Sequence, residues 1–524
     1  MANQKLSRRD VLKLIGLGAG AVTFGGIISA CSPYLEPAAS ATPFPTSTLV
    51  PNLPASEDLE IILRAAKGQV NIFPDSPTDI WHYQAEIKQS DPASVQTLPN
   101  SYLGPILHLQ RGQNFRASLV NELSEETIVH WHGLHVPAEM DGHPRYAIAP
   151  NATYDYSFRV LNRAGTYWFH PHPHQRTGAQ AYAGMAGLFI VHDEEEAAAQ
   201  LPTGEFDLPL VIQDRIFDGN HQLVYAGDSM NGVLGDTVLV NGQRDASLIL
   251  KPSQYRLRLL NGSNARIYKL AWNDNTPLTV IATDGGLLEK PIERNFITLA
   301  PGERVELWAD FSERAGQTLR LVSQSFSGGG GMGMMMGSGY PQGTPFDVLA
   351  IRFEGDVTRL FSRPSLLSNL NFYLPKDSVR TRRVEVAMQG MVGLINGRTF
   401  VMDEVASDER VRLGDLETWE FANLGGGMGM MGMGGMMSQP HPMHMHGVQF
   451  QVIERKLDTR QSSGYEFLSD GFINDGWKDT VLVLPGETVR VLVKFEDFAG
   501  MFLYHCHNLE HEDGGMMRNY EVQA

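Results

Sequence analysis

The chain has 524 residues, enough for about three domains of ordinary size, and a formal net charge of −17. That charge argues against nucleic acid and other polyanions as partners and favours small cations or neutral molecules. Charged residues make up only 19%, with 53 glycines and 29 prolines, and long amphipathic helical patterns are scarce; the mixture predicts an all-β chain with many turns.

The opening segment reads as an address. Ser7-Arg8-Arg9-Asp10-Val11-Leu12-Lys13 resembles a twin-arginine export motif, and an apolar, glycine-rich run from Leu14 to Ala30 follows it. The run closes on Ile28-Ser29-Ala30-Cys31, which looks like a bacterial lipobox. Residues 1–31 are therefore expected to be a signal, with Cys31 as a lipidation site. An uncleaved membrane anchor, or a soluble product cut nearby, is the alternative. Residues 32–59, rich in Pro, Ala, Ser and Thr, read as a flexible linker. The expected location is the periplasm or cell envelope, with a membrane tether through Cys31.

From about residue 60 a weak repeat runs through the chain. Arg111 to Asn121 has a counterpart in Lys251 to Asn261 and another in Leu413 to Asn423, each an alternating strand with polar turns at its ends. A second line matches Ala149-Pro150-Asn151 with Ala300-Pro301-Gly302 and Leu484-Pro485-Gly486, each ahead of another alternating run. Three β-sandwich units, 60–197, 205–355 and 375–524, would account for both lines.

Histidines cluster in the first and third units. His130-Trp131-His132-Gly133 and His170-Pro171-His172 each put two imidazoles at i and i+2, hence on one face of a strand. His441-Pro442-Met443-His444-Met445-His446 adds three, and His505-Cys506-His507 with His511 adds three more. Ten of the seventeen histidines fall in these four clusters. His82, His108, His135, His143, His174, His192 and His221 are left for structural or surface roles. If 501–507 is a strand, His505 and His507 face one way and Cys506 the other, so one strand serves two metal sites back to back. Cys506, His511 five residues on and Met516 five further match a type 1 copper centre that still lacks one His. Cys31 is the only other cysteine, so no intrachain disulfide is expected.

The motifs HWHG, HPH, HPxHxH and HCHxxxHxxxxM together resemble the three-domain multicopper oxidases, the group that holds laccases, spore-coat oxidases and copper-efflux cuprous oxidases. The resemblance covers residues from about 60 to 524 and implies three consecutive cupredoxin-like Greek-key β-sandwich domains with four coppers per chain. It implies His441, Cys506 and His511 as equatorial ligands of the type 1 copper, with Met516 axial and Met517 as the alternative. It implies His130 and His444 at the type 2 copper, and His132, His170, His172, His446, His505 and His507 at the type 3 pair. Glu512 and Asp141 match acidic positions that relay protons in such oxidases, a task suited to a carboxyl whose pKa is raised. The reaction implied is four one-electron oxidations of a small reductant coupled to reduction of O2 to water.

Two methionine-rich stretches bear on the reductant. Gly328 to Gly339 holds Met332, Met334, Met335 and Met336; Gly425 to Met437 holds Met428, Met430, Met431, Met433, Met436 and Met437 and runs straight into the His441 motif. Thioethers suit Cu(I), so Cu(I) is the favoured substrate, with Met433, Met436 and Met437 as its possible ligands. A flexible apolar lid is the other reading, and phenols or aromatic amines would then be oxidised, as by a laccase. The copper-efflux oxidases carry an acidic residue and a Met just ahead of this motif, where the chain has Met437-Ser438-Gln439-Pro440. A non-enzymatic copper-binding or envelope-assembly protein is a third possibility, although no ligand position is missing.

Overall fold

Three strands of one pattern organise the architecture: Asn114–Asn121, Gln254–Asn261 and Leu416–Asn423. Each pairs in parallel with an earlier strand, Leu59–Phe73, Asp207–Arg215 or Arg380–Gln389, and antiparallel with a later one, Thr153–Arg159, Arg304–Asp310 or Glu487–Lys494. Each ends in an asparagine whose carbonyl accepts the N–H of the third residue of an X-Pro-X turn: Asn121 from Asn151 at 2.7 Å, Asn261 from Gly302 at 2.9 Å and Asn423 from Gly486 at 2.8 Å. The same turn thus closes the same corner three times.

The computed structural model describes residues 58–226, 230–327, 340–357, 359–423, 439–458 and 465–524. The export motif, Cys31, the linker through residue 57, Met332 to Met336 and the run from Met428 to Met437 lie outside the described residues. So do Met433, Met436 and Met437, the candidate Cu(I) ligands. Among the described residues no helix is long and apolar enough to cross a membrane.

Among the described residues six sheets form three pairs, each a cupredoxin-like sandwich. The first pair uses strands between Leu59 and His192, the second between Asp207 and Phe353, the third between Arg380 and Gln523. Each encloses its own apolar core, built around Trp131 and Phe169, around Trp308 and Leu257, and around Trp419 and Tyr520. Smaller apolar clusters join the middle sandwich to its neighbours, through Trp168 and Leu260 on one side and Ile267 and Leu484 on the other.

The strand Gln254–Asn261 keeps its alternation yet is buried on both faces. Tyr255, Leu257 and Leu259 enter the core, while Arg256 and Arg258 reach toward the first sandwich. Arg258 pairs with Asp207 and Glu306, and Arg256 with Glu196 and Glu306. Taking such charges out of water is tolerable only because each guanidinium meets carboxylates directly.

Candidate metal centre

The four histidine motifs sit on two matched pairs of strands. In the first sandwich Val129–His132 pairs with Gly165–Pro171 so that His130 faces His170. In the third, His441–Met445 pairs with Gly500–Cys506 so that His444 faces His505. The last strand ends at Cys506 rather than His507, yet the His507 N–H still donates to Pro442 O at 2.6 Å. The His505 and His507 rings therefore stay on one side, 5.7 Å apart, and Cys506 lies on the other.

On that other side Cys506 Sγ is 3.5 Å from both His441 Nδ1 and His511 Nδ1, which are 3.2 Å from each other. All three are buried. Asn508 caps the helix Leu509–Asp513, its Oδ1 accepting from the N–H groups of Glu510 and His511, which fixes where His511 points. Met516 packs in the apolar cluster that holds Cys506, whereas Met517 belongs with Phe400 and Leu503. Burial pushes the Cys506 thiol up; a cation at the trio would reverse that by stabilising the thiolate.

The remaining eight imidazoles gather between the first and third sandwiches, all buried, in three sets. His130 Nε2 and His444 Nε2 are 3.3 Å apart, their Nδ1 atoms occupied by the carbonyls of Asp141 (2.6 Å) and Asp479 (2.8 Å). His446 Nε2 lies 3.0 Å from His505 Nε2, which is 3.5 Å from His172 Nε2. The third set is His132, His170 and His507, whose rings lie 4.9 to 5.7 Å apart. Burial above all holds His130, His132, His444, His446 and His507 well below the usual imidazole range. His170 falls to about 4 and His172 to about 3 for the same reason. Neutral rings keep a lone pair for a cation.

The two expected relay acids differ. Asp141 Oδ2 accepts from His446 Nδ1 at 2.7 Å, and burial raises its carboxyl well above the usual range. Glu512 lies 3.3 Å from His172 Nε2 and 3.2 Å from His505 Nδ1. Burial would raise it too, but His172, His505 and His170 outweigh burial and bring it down to about 2. The expectation of a raised carboxyl thus holds for Asp141 and is corrected for Glu512, because three imidazoles surround one carboxylate.

The sequence did not single out several neighbours. His132 Nε2 lies 3.1 Å from Asp479 Oδ1 and 3.3 Å from Thr480 Oγ1. From the middle sandwich, Gly302 presses its backbone against the His507 ring, where a Cβ would stand 3.0 Å from ring carbons. Met230 O lies 3.1 Å from His511 Nε2, and Glu510 accepts from Asn264, Tyr225 and the Val233 N–H. Asp479 left a trace in the sequence, the charged pair Lys478-Asp479 directly ahead of the apolar strand Thr480–Val483. Gly302 stands in the Ala300-Pro301-Gly302 repeat, which does not show the ring it meets, and a backbone carbonyl leaves no mark.

Two family models for multicopper oxidases match residues 80–196 and 371–524. A multicopper oxidase of Staphylococcus aureus, mco, is 33% identical over 462 residues, 88% of each chain. This chain belongs to the multicopper oxidases. Among solved structures of the family, McoA from Aquifex aeolicus is 33% identical with a TM-score of 0.73, covering 91% of this chain and all of that one. A laccase from Pediococcus acidilactici is 31% identical with a TM-score of 0.74, covering 93% and 94%. As a multicopper oxidase the protein is a copper oxidoreductase that uses O2 as acceptor and a reducing substrate as donor. The residues present fit copper: His132 Nδ1, His170 Nε2 and both ring nitrogens of His507 are buried without a hydrogen-bond partner, a state that a cation relieves and an apolar core does not tolerate. The sulfur and two nitrogens of the Cys506 trio, beside a thioether, are the donor set of a blue copper site.

Proposed function

We propose that the chain is an exported oxidase holding four coppers, with Cu(I) as its favoured substrate: four Cu(I), one O2 and four protons give four Cu(II) and two waters. His441, Cys506, His511 and Met516 would hold the type 1 copper, and His130 with His444 the type 2 copper. His132, His170 and His507 would hold one type 3 copper, His172, His446 and His505 the other. The observation that carries this reading is Cys506, seated in one cluster while its covalent neighbours His505 and His507 stand in the other. Bound copper would supply the one-electron steps and the site of O2 reduction. Electrons taken at the trio would then cross about a nanometre of bonded chain, given ~3.8 Å between adjacent Cα atoms.

The chain's own groups handle the protons. Glu512, ionised at neutral pH, can accept one beside His172 and His505 and hand it inward, while Asp141 holds His446 in place through Nδ1.

Support for Cu(I) comes from the two methionine runs, the net charge of −17 and a relative from Campylobacter jejuni, 25% identical with a TM-score of 0.71, described as a metallo-oxidase. The Pediococcus laccase supports the second reading, oxidation of phenols or aromatic amines. A relative in Dickeya dadantii, 30% identical over 88% of this chain, is named cell division protein FtsP; the complete set of ten histidines and Cys506 favours an enzyme here. The twin-arginine motif and lipobox support export to the envelope with a tether at Cys31, which Cys31→Ala should release from membranes.

The substrate is tested by steady-state kinetics with Cu(I) and a bulky phenol in parallel, on the copper-loaded protein and on a version with Gly425–Met436 replaced by Gly and Ser at equal length. The cuprous reading expects Cu(I) oxidation to fall sharply while phenol oxidation holds or rises. An unchanged ratio of the two rates would transfer the assignment to a laccase.

A further inference from the structure

The middle sandwich brings no cluster histidine, yet one of its side chains reaches the back of the metal centre. Arg304, at the start of the strand Arg304–Asp310, is fully buried. A guanidinium has five N–H donors in a fixed fork, and all five of Arg304 are used. Nε donates to Thr166 O at 3.0 Å, in the first-sandwich strand that carries His170. Nη1 donates to Gly302 O at 3.0 Å and Nη2 to Asp284 O at 3.0 Å, both in the middle sandwich. The remaining two go side by side to the Asp479 carboxylate of the third sandwich, Nη1 to Oδ1 at 2.7 Å and Nη2 to Oδ2 at 2.6 Å. One side chain therefore ties three sandwiches together, and the carboxylate it holds stands 3.1 Å from His132 Nε2.

Asp479 lies close enough to His132 and His444 to be taken for a metal ligand itself. The bidentate fork points to a different role, since the carboxylate's charge is already met by Arg304 and its Oδ1 faces His132 Nε2. It also fixes the direction of the carboxylate, so that Oδ1 can still accept from the His132 ring. The space around the pair is tight. Gly133 of the His-Trp-His-Gly motif has φ +85°, and a Cβ there would stand 2.4 Å from Asp479 Oδ2 and 2.8 Å from Arg304 Nη2.

We infer that Arg304, acting through Asp479, is a positioning residue for the metal cluster: it holds the His132 proton on Nε2 and turns Nδ1 toward His170 and His507. His132 Nδ1 is the nitrogen left buried without a partner, which is where a cation would sit. Carboxylate–histidine–metal pairs of this kind set both tautomer and ring angle, and losing the outer partner weakens metal binding about 10–100-fold. Lysine cannot substitute, because an ammonium offers three donors and no planar fork.

The inference rests on copper occupying the histidine cluster, and the test separates the two. Wild type, Arg304→Lys and Asp479→Asn are loaded with copper and equilibrated against chelator buffers of set free copper. Copper per chain is counted, and the blue absorption reports the Cys506 trio separately. Arg304→Lys is expected to keep its blue colour and hold cluster copper about 10–100-fold more weakly. Asp479→Asn should weaken it in the same sense, and the double variant should be no worse than Arg304→Lys alone. Unchanged cluster affinity, additive losses, or equal weakening of both centres would each overturn the positioning role. Should the variants not fold, 15N NMR of histidine-labelled metal-free wild type decides alone: a His132 proton on Nε2 supports the inference and one on Nδ1 overturns it. A wild type that holds no cluster copper would sink the proposed function but leave the tautomer measurement standing.

Discussion

A buried imidazole is useful to a cation only while it is neutral, and burial keeps it so at a cost that appears in acid. His143, which is not a ligand, isolates that cost. Its Nε2 meets Asn519 Oδ1 at 2.9 Å, and burial lowers it from the ordinary 6.5 to about 4. Between those values the unfolded chain binds a proton that the fold refuses, so stability is present above pH 6.5 and is lost as pH falls toward 4. The gap amounts to about 3 kcal/mol at full effect. In metal-free protein, His143→Gln is expected to flatten the pH dependence of denaturant unfolding across that window; an unaltered slope would assign the acid lability elsewhere. At this scale the histidine clusters were legible, because i and i+2 spacing on a strand and a cysteine between two histidines survive any packing. Their outer partners were not: Arg304 reads as the polar face of an ordinary strand, and the segments of Asp479 and Asp141 show an acid without showing which imidazole it meets.

Elements place those residues through a few positions where only backbone fits. The turn after the short helix Ala138–Met140 brings Asp141 to His130 and His446. It does so by pressing Gly142, at φ +89°, onto the neighbouring strand, where a Cβ would stand 2.1 Å from Val129 O and 2.6 Å from His130 Cα. Gly142→Ala combines overpacking with an unfavourable backbone region, so a loss of about 2–4 kcal/mol is expected. The turn should lift away from His130 and His446, and copper at the site proposed for type 2, followed by electron paramagnetic resonance, should fall with stability. A variant as stable as wild type that keeps the type 2 signal would mean that the turn does not set the ligand. The repeated strands were readable in advance, since alternation and the X-Pro-X turn recur three times. The end of the strand Gly500–Cys506 was off by one residue, because His507 keeps a hydrogen bond to Pro442 O after regular pairing has stopped.

Across the whole molecule, the metal centre is a seam. The first and third sandwiches supply its histidines, and the middle one holds them from behind with Gly302 and Arg304. Removing copper therefore takes away a bond between sandwiches as well as a cofactor. Ligand present a thousandfold above its Kd stabilises the folded state by about 4 kcal/mol. Calorimetry is expected to show chelated protein melting lower and over more than one transition, while the loaded protein melts later and more nearly as one. Identical profiles would mean that the protein contacts alone join the sandwiches. Three units and their order followed from the repeat, whereas the way they meet did not, because Arg256, Arg258 and Arg304 read locally as the polar face of ordinary strands.

The seam also sets a clock. His130 and His444 are separated by 314 residues and His172 and His505 by 333, yet their ring nitrogens nearly touch. At about 5–20 residues per second of synthesis, the first histidines wait roughly 15–60 s before their partners exist. Through that interval the growing chain carries four of the eight histidines that meet between the sandwiches and none of the Cys506 trio, so it cannot enclose an ion. The order of events is thus written into the topology: chain first, metal last.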